Sequence, residues 1–130
     1  MRRIAILLSL VGLVASAGCG PSGPLHVTTV QLGRSLNSDG SVGAIATRFK
    51  PGETVFASVL TDNAGRGTVK ARWSFGGRTI SEEEKKVSYR DVAGTSFRLN
   101  YAGGLPQGEY TVELFLDDMP IAKREFVVAP

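Results

Sequence analysis

Short runs in which apolar and polar residues alternate recur along most of the chain. The clearest run covers residues 68–75, in which Val69, Ala71 and Trp73 alternate with charged or polar side chains. A period of two is typical of β-strands, whose successive side chains point to opposite faces. The alternating or β-branched runs predict strands over residues 27–32, 44–49, 54–61, 68–75, 96–101, 110–116 and 121–128. Because no amphipathic helix of useful length interrupts them, seven or eight short strands predict an all-β, antiparallel sandwich.

The segments between these strands are rich in turn-forming residues. They cover residues 35–43, 50–53, 62–67, 76–77 and 117–120. The last of them, Asp-Asp-Met-Pro, is short enough to require a β-hairpin. The segment from Ser81 to Lys86 is ambiguous, because Ser-x-x-Glu spacing and the pair Glu82 and Lys86 favour one helical turn. A charged edge strand is the alternative. The segment is a candidate part of a binding surface, but a solvated edge that blocks aggregation needs no partner and is the favoured interpretation.

The alternation also assigns each strand an inner and an outer face. The side chains predicted to face the core are Val55, Ala57, Val59, Val69, Ala71, Trp73, Phe75, Phe97, Leu99, Tyr101, Tyr110, Val112, Leu114 and Leu116. Phe56, Leu60 and Phe115 then point away from the core. Since exposed phenylalanine on a sandwich face can mark a contact site, Phe56 and Phe115 form a candidate binding surface, unless a loop covers them.

Two features of this pattern resemble immunoglobulin-like β-sandwiches. Trp73 lies on a middle strand, where such sandwiches place a core tryptophan. Residues 105–110, Leu-Pro-Gln-Gly-Glu-Tyr, are similar to the turn that leads into a tyrosine corner, in which the hydroxyl of Tyr110 would bond to backbone a few residues upstream. The resemblance covers about residues 44–130. It implies a single immunoglobulin or fibronectin type III-like domain with Trp73 and Tyr110 as structural core residues, and it implies no ligand.

The N-terminus carries a second resemblance. Arg2 and Arg3 precede an apolar stretch from Ile4 to Ala15, and residues 14–19 read Val-Ala-Ser-Ala-Gly-Cys. A basic start, about a dozen apolar residues and small residues at the end are typical of a cleaved signal peptide, and the stretch is too short to span a bilayer. The ending with cysteine resembles the lipobox of bacterial lipoproteins, although a serine stands where leucine is usual.

This resemblance implies cleavage between Gly18 and Cys19 and lipidation of Cys19. Two or three acyl chains would hold the protein stably on a membrane. The five residues Gly20 to Pro24 cannot form a regular element and span at most about 18 Å, so the domain is expected close to the bilayer. Gly20, which follows the cysteine, lacks the aspartate that commonly signals inner-membrane retention, so an outer-membrane position facing the periplasm is expected if the organism has one.

Composition adds little beyond this localisation. The full chain has 15 Lys and Arg against 12 Asp and Glu, and loss of Arg2 and Arg3 with the signal peptide leaves 13 − 12 = +1. A nearly neutral mature chain offers no electrostatic surface for nucleic acid. With Cys19 lipidated, no cysteine remains for a disulfide or a thiolate metal site.

The sequence is poor in catalytic chemistry. His26 is the only histidine, and no partner for it is evident from the sequence. The glycine pairs lack the residues of a phosphate-binding loop. Calcium binding by Asp117 and Asp118 at the end of the sandwich is an alternative, but a solvated, charged hairpin turn is the favoured interpretation. We therefore expect no cofactor, no metal site and no catalytic residues.

Together these observations predict a signal peptide at residues 1–18, a lipidated cysteine and short tether at 19–25, and a β-sandwich at 26–130. The expected function is that of a lipid-anchored cell-envelope protein acting as a non-enzymatic binding or structural module, whose partners are the membrane and an envelope protein. The alternatives are a ligand-holding accessory subunit of an envelope complex and a small hydrolase, for which a pocket with converging titratable groups would be required.

Overall fold

The computed structural model describes residues 23–130, and the predicted signal peptide and Cys19 lie outside them. The described part contains β-strands and no helix, so no helix in it is long and apolar enough to cross a membrane. This confirms the all-β prediction, with nine strands rather than seven or eight. The strands are β1 (Val27–Leu36), β2 (Val42–Ile45), β3 (Arg48–Phe49), β4 (Val55–Thr61), β5 (Gly65–Phe75), β6 (Arg78–Tyr89), β7 (Ala93–Leu99), β8 (Gly108–Leu116) and β9 (Met119–Val128).

The strands form two sheets that pack face to face. One sheet has the order β2-β1-β4-β7 and the other has the order β3-β9-β8-β5-β6. All neighbouring strands within these sheets are antiparallel except β3 and β9, which pair in parallel. The predicted antiparallel sandwich is therefore confirmed, with one short parallel pair at an edge. Strands β6 and β7 are the outermost strands of their sheets, and both lie on the same side of the sandwich.

The first connection is shorter than the predicted loop at 35–43. The chain turns tightly because Asn37 N donates to Ser41 O at 2.8 Å and Asp39 Oδ1 accepts from Ser41 N at 2.9 Å. Strand β1 therefore continues to Leu36, and β2 already begins at Val42. The hydrogen bonds that Ser41 donates also lower the pKa of Asp39.

The strand predicted over residues 44–49 is split into β2 and β3. Ala44 has a φ of 50°, which breaks the extended backbone, and Ala46 N donates to Leu32 O at 3.0 Å. The chain then crosses from one sheet to the other. Phe49 consequently reaches the core between the sheets, where only 1% of its surface is exposed.

The ambiguous segment at 81–86 lies within β6, a twelve-residue strand, so the edge-strand alternative is confirmed. Its register pairs Glu82 with Arg72 and Glu84 with Lys70 on β5. Opposite charges that face each other across two strands stabilise the pairing, whereas a helical turn would lose these contacts. Alternate side chains of the strand are exposed and charged, which is typical of an edge that resists further pairing.

The inner faces of the two sheets form one core. Val55, Ala57 and Val59 have no exposed surface, which confirms the predicted phase of β4, while Phe56 and Leu60 lie on its outer face. The other large side chains with less than 2% exposure at the centre include Trp73, Phe49, Val69, Val112 and Leu114. Burying one such side chain stabilises the fold by about 1.5–3 kcal/mol.

Two details of the predicted β-strands needed correction. Tyr101 was expected on the inner face, but β7 ends at Leu99 and Tyr101 is exposed in the following loop. The hairpin at 117–120 is a two-residue turn, because β8 ends at Leu116 and β9 begins at Met119. Asp117 and Asp118 have φ of 50° and 66°, as in a type I′ turn, which matches the twist of the paired strands.

Candidate binding site

The main surface feature of the domain is a seam between the edge strands β6 and β7. These strands follow each other in the chain but belong to different sheets, so no backbone ladder joins them. Their near ends are held together by a hydrogen bond of 2.8 Å between the hydroxyls of Tyr89 and Thr95. Towards Ile80 on β6 and Leu99 on β7 the strands separate, and the seam opens into a groove.

Lys85 lies in the middle of this seam. Its ammonium donates to the carbonyl oxygen of Ser96 at 2.5 Å and lies 5.0 Å from the centre of the Phe97 ring. The bond occupies a backbone acceptor at the edge of β7, and the charge makes the edge unattractive to another strand. An inward-pointing charge is one way in which natural sandwiches protect their edges.

The wide end of the seam is a largely apolar groove with a volume of about 440 Å³. It is lined by Phe75, Ile80, Ser81, Leu99, Asn100, Tyr101, Leu105, Pro106 and Tyr110. Tyr101 is 68% exposed and Ile80 is 45% exposed, although both are large apolar side chains. We refer to this feature as the distal groove. Apolar walls with a few polar groups, here Asn100 and Ser81, are typical of binding sites in proteins.

The sequence pattern did not predict the distal groove. Ile80 lies in the segment whose alternation is weak, and the register with β5 shifts at this point, between Trp73 and Ser74. The other wall comes from the loop that follows β7, where Tyr101 had been assigned to the core. The available signal was the presence of Tyr101 and Leu105 in a segment that also contains the turn residues Asn100, Gly103, Gly104 and Pro106.

A smaller hollow of about 220 Å³ lies alongside the narrower part of the seam. Its lining includes Phe56 and Leu36 from the first sheet, together with Glu83 of β6 and Arg98 of β7. Phe56, which was predicted to point away from the core, does so and is half-buried. It therefore belongs to the border of the seam rather than to a flat exposed patch.

Phe115 also points away from the core, but it is not exposed. Only 8% of the surface of Phe115 is exposed to solvent, because Lys70 and Arg72 of β5 lie over its ring. Their charged groups lie 4.9 Å and 4.8 Å from the centre of the ring. Arg72 is held there by Glu82, whose carboxylate accepts from Nε at 2.8 Å. The expectation of an exposed contact site at Phe115 is therefore wrong, since long basic side chains cover aromatic surfaces with their stems.

The charged row above Phe115 has a structural explanation. Glu113 lies opposite Arg72 on β8, and its carboxylate is 3.9 Å from the guanidinium. The hydrogen bond with Glu82 raises the pKa of Arg72 and lowers the pKa of Glu82. Phe56 and Phe115 lie on the outer faces of different sheets, so the structure does not bring them together.

His26 has a partner that the sequence did not reveal. Its Nδ1 lies 2.9 Å from Oδ1 of Asp62, and both side chains are largely exposed. Neither side chain makes a further contact in the described part of the chain that would present a nucleophile to a substrate. Within residues 23–130 no cluster of three or more His, Cys, Asp or Glu side chains could hold a metal ion.

Trp73 and Tyr110, the two core residues singled out in the sequence, pack around Phe126. The ring of Phe126 meets Trp73 edge-on at 5.9 Å and stacks on Tyr110 at 5.1 Å. The hydroxyl of Tyr110 donates to the carbonyl oxygen of Pro106 at 2.5 Å, which is the bond of a tyrosine corner. This bond fastens the loop that forms one wall of the distal groove.

The arrangement of the sheets is shared with known structures. An immunoglobulin-like protein from Pseudomonas aeruginosa superimposes with a TM-score of 0.57 and 14% identity, covering 85% of this chain and 100% of that one. The fold is immunoglobulin-like. A β-glucosidase from Listeria innocua, solved with glucose, matches with a TM-score of 0.52 and 10% identity, and the match covers 82% of this chain but 16% of the enzyme.

These similarities concern the fold alone, because the identities are low. The CARDB domain of a Pyrococcus furiosus protein, solved with di-metal ions, is 12% identical over 87% of this chain and 95% of that one, and its TM-score of 0.45 supports no argument. Comparison with protein-family models and with curated proteins found no match. An immunoglobulin-like domain is consistent with a binding or structural module.

Proposed function

We propose that this chain is a lipid-anchored protein of the bacterial cell envelope and that its immunoglobulin-like domain is a non-enzymatic binding module. The anchor is Cys19, which follows the signal-like segment described above. The binding site is the distal groove, and its occupant is an extended segment of an envelope protein that inserts an apolar side chain. The observation that carries this proposal is the exposure of Ile80 and Tyr101 beside an open apolar groove.

A polypeptide suits this groove better than a small molecule does. The groove lies between the ends of two edge strands, beyond the charged residues 82–86 that protect the middle of β6, and the outward backbone groups at these ends are not paired in either sheet. Such edges offer hydrogen bonds to an added extended segment, while the groove offers a place for one of its side chains. Lys85 covers the acceptor at Ser96, so the open end near Ile80 is where a segment can approach.

The position of the distal groove also supports this function. Strand β5 begins at Gly65, beside the N-terminal residues of the domain, and ends at Phe75, which lines the groove. Its eleven residues span roughly 33 Å. An anchor at Cys19 would therefore leave the groove at the end of the domain remote from the membrane, where a partner can reach it.

A catalytic function has less support. Hydrolysis requires a nucleophile, a base and a pocket in one place. His26 lies with Asp62 near the N-terminus, at the opposite end of the domain from the distal groove. The glucosidase match concerns 16% of that enzyme, and the similarity shows the fold of that portion only.

Co-purification from gently solubilised membranes tests the proposal. Tagged protein with Tyr101→Ser or Ile80→Ser is expected to lose an envelope protein that the unaltered chain retains. Because both side chains are exposed, these changes should leave the free energy of unfolding nearly unchanged. Loss of a residue at the centre of an interface commonly costs more than 1 kcal/mol of binding, a factor of about 5 in affinity.

Ile45→Ser is the matched control, because Ile45 is 65% exposed but lies on β2, away from the groove. The control variant should retain the partner. If the same protein is recovered with all four forms of the chain, the distal groove is not the binding site. If a phenotype instead follows His26→Ala alone, the binding module is the wrong interpretation and hydrolysis regains support.

A further inference from the structure

We infer that the end of the sandwich that carries the N-terminal residues lies directly against the lipid bilayer. This inference rests on the proposed lipidation of Cys19, and it adds a membrane-contact surface to the orientation given under the proposed function. The occupant of this surface is the polar headgroup region of the membrane that holds the anchor. Three observations support it: a docked N-terminal segment, a short connection to Cys19 and an exposed apolar residue at the same end.

The N-terminal segment at 23–26 is part of the folded domain. Asn63, in the turn between β4 and β5, accepts from His26 N at 2.8 Å and donates from Nδ2 to Pro24 O at 3.0 Å. Arg66 N donates to Gly23 O at 3.1 Å. Only 5% of the surface of Leu25, which lies between Pro24 and His26, is exposed to solvent. The predicted tether at 19–25 is thus fastened to the domain from Gly23 onward.

This docking shortens the connection between lipid and domain. Only residues 20–22 separate Cys19 from Gly23. Four residue steps span at most about 14 Å, so the turn at 62–64 cannot move far from the bilayer surface. The docked segment also fixes which end of the sandwich faces the membrane, because a β-sandwich is rigid compared with a loop. The distal groove then points away from the bilayer.

The same end exposes an apolar side chain at the tip of the turn between β6 and β7. Val92 is 71% exposed and directly precedes Ala93. Ala93 on β7 pairs with Thr61 on β4, which pairs in turn with Val27 on β1. Val92 therefore lies at the same end of the domain as the N-terminal residues. A single exposed valine needs no explanation by itself. Here, however, the length of the connection brings that end of the domain to the bilayer, where an apolar tip is favourable.

Charge at this end indicates which lipids suit the contact. The turns contain four aspartates, at positions 62, 91, 117 and 118, against two arginines, Arg90 in the turn after β6 and Arg66 at the start of β5. All four aspartates have partners: Asp62 contacts His26, Asp91 accepts from Val92 N, Asp117 accepts from Thr68 N, and Asp118 lies 4.0 Å from Lys70 Nζ. With Lys70 counted beside the two arginines, the four aspartates leave one negative charge in excess at this end, which favours zwitterionic headgroups over anionic ones.

Fluorescence quenching in vesicles tests the orientation. The full chain, purified from membranes, is reconstituted into vesicles of phosphatidylcholine that contain a nitroxide on the headgroup. An environment-sensitive dye is attached at Val92→Cys or, in a second protein, at Tyr101→Cys. Cys19 is the only native cysteine, so its lipidation leaves one thiol to label. We expect the dye at residue 92 to lose most of its emission and the dye at residue 101 to lose none.

Vesicle flotation distinguishes failure of the proposed lipid anchor from failure of the inferred orientation. If Cys19→Ser protein floats with the vesicles as well as the unaltered chain does, the proposed lipid anchor is wrong. If only the lipidated chain floats but both dyes are quenched equally, the anchor stands and the inferred contact is overturned. The folding of each protein used in these experiments is checked by circular dichroism.

Asn63→Ala tests the docked segment specifically, because it removes both side-chain hydrogen bonds to residues 24 and 26. This variant should reduce the difference in quenching between the two dye positions. Asn37→Ala is the control, since Asn37 is exposed in the turn between β1 and β2 and its side chain makes one bond of 3.0 Å, to Ser41. An unchanged difference in the Asn63→Ala protein would show that docking of the segment does not orient the domain.

Discussion

The hydroxyl of Tyr110 donates a hydrogen bond of 2.5 Å to the carbonyl oxygen of Pro106. This contact joins the buried ring of a core strand to the loop that forms one wall of the distal groove. It therefore connects the stability of the sandwich with the shape of the proposed binding site. Burial raises the pKa of the Tyr110 hydroxyl above 10, so the neutral form is favoured in the folded protein.

Tyr110→Phe is expected to lower the free energy of unfolding by about 1 kcal/mol, since it removes one hydrogen bond and leaves a carbonyl without its partner. The difference should persist at neutral pH. It should shrink as the pH rises above 10, because the unfolded chain then ionises Tyr110 before the folded one does. Urea denaturation at pH 7 and pH 11 measures both effects, with Tyr101→Phe as the exposed control.

Trp73→Ala should cost about 3–5 kcal/mol, because it deletes a large aromatic side chain with 1% exposure from the core. Phe115→Ala should cost about 2 kcal/mol, since burial of such a side chain contributes about 1.5–3 kcal/mol and Phe115 is 8% exposed. Lys70→Ala and Arg72→Ala should each cost less than Phe115→Ala, because they uncover the ring without removing it. Denaturant unfolding ranks the stability of the four variants by the midpoint concentration, provided that the slope of the transition is the same for all of them. Equal stability of Phe115→Ala and the unaltered protein would contradict the covered position of Phe115.

Gly94→Ala is expected to destabilise the domain by about 1–3 kcal/mol through overpacking. A β-carbon at Gly94 would lie 2.5 Å from the carbonyl oxygen of Gly40, so the turn between β1 and β2 would have to move off β7. Gly52→Ala is the matched control, since nothing lies within 4 Å of a β-carbon there. Thermal melting of both variants checks this prediction, and a Gly94→Ala protein as stable as the control would refute the close contact.

Cys19→Ser should release the domain from the membrane fraction or leave an uncleaved precursor, because Cys19 is the only residue that can carry the acyl chains. Labelling with a radioactive fatty acid should then disappear. Ser16→Ala, a change within the predicted signal segment that keeps the cysteine, is the control and should remain labelled. Unchanged labelling of the Cys19→Ser protein would show that the lipobox interpretation is wrong.

Much of the fold followed from local patterns in the sequence. The alternation in β4 and β5 predicted which side chains are buried, because a strand with one face in the core must separate apolar from polar residues. The turn residues predicted most strand ends. The segment at 81–86 stayed ambiguous, since an edge strand faces solvent on two sides and shows no apolar face.

The predictions that failed concern residues whose surroundings depend on contacts between distant parts of the chain. Phe115 is covered by Lys70 and Arg72, about 45 residues earlier in the sequence, and no local pattern predicts such a contact. The partner of His26 lies in the turn after β4, 36 residues later. The distal groove combines the loop between β7 and β8 with side chains from strands of both sheets, so it exists only once the two sheets have packed.

Cross-linking in living cells tests the central claim of a binding module most directly. A photoreactive amino acid replaces Tyr101 in the distal groove or, as the control, Ile45 on β2, and each protein keeps Cys19. Irradiation should join an envelope protein covalently to the chain through residue 101, and the product should be absent with the residue at 45. The same products from both positions, or no product from residue 101, would contradict a binding function of the distal groove.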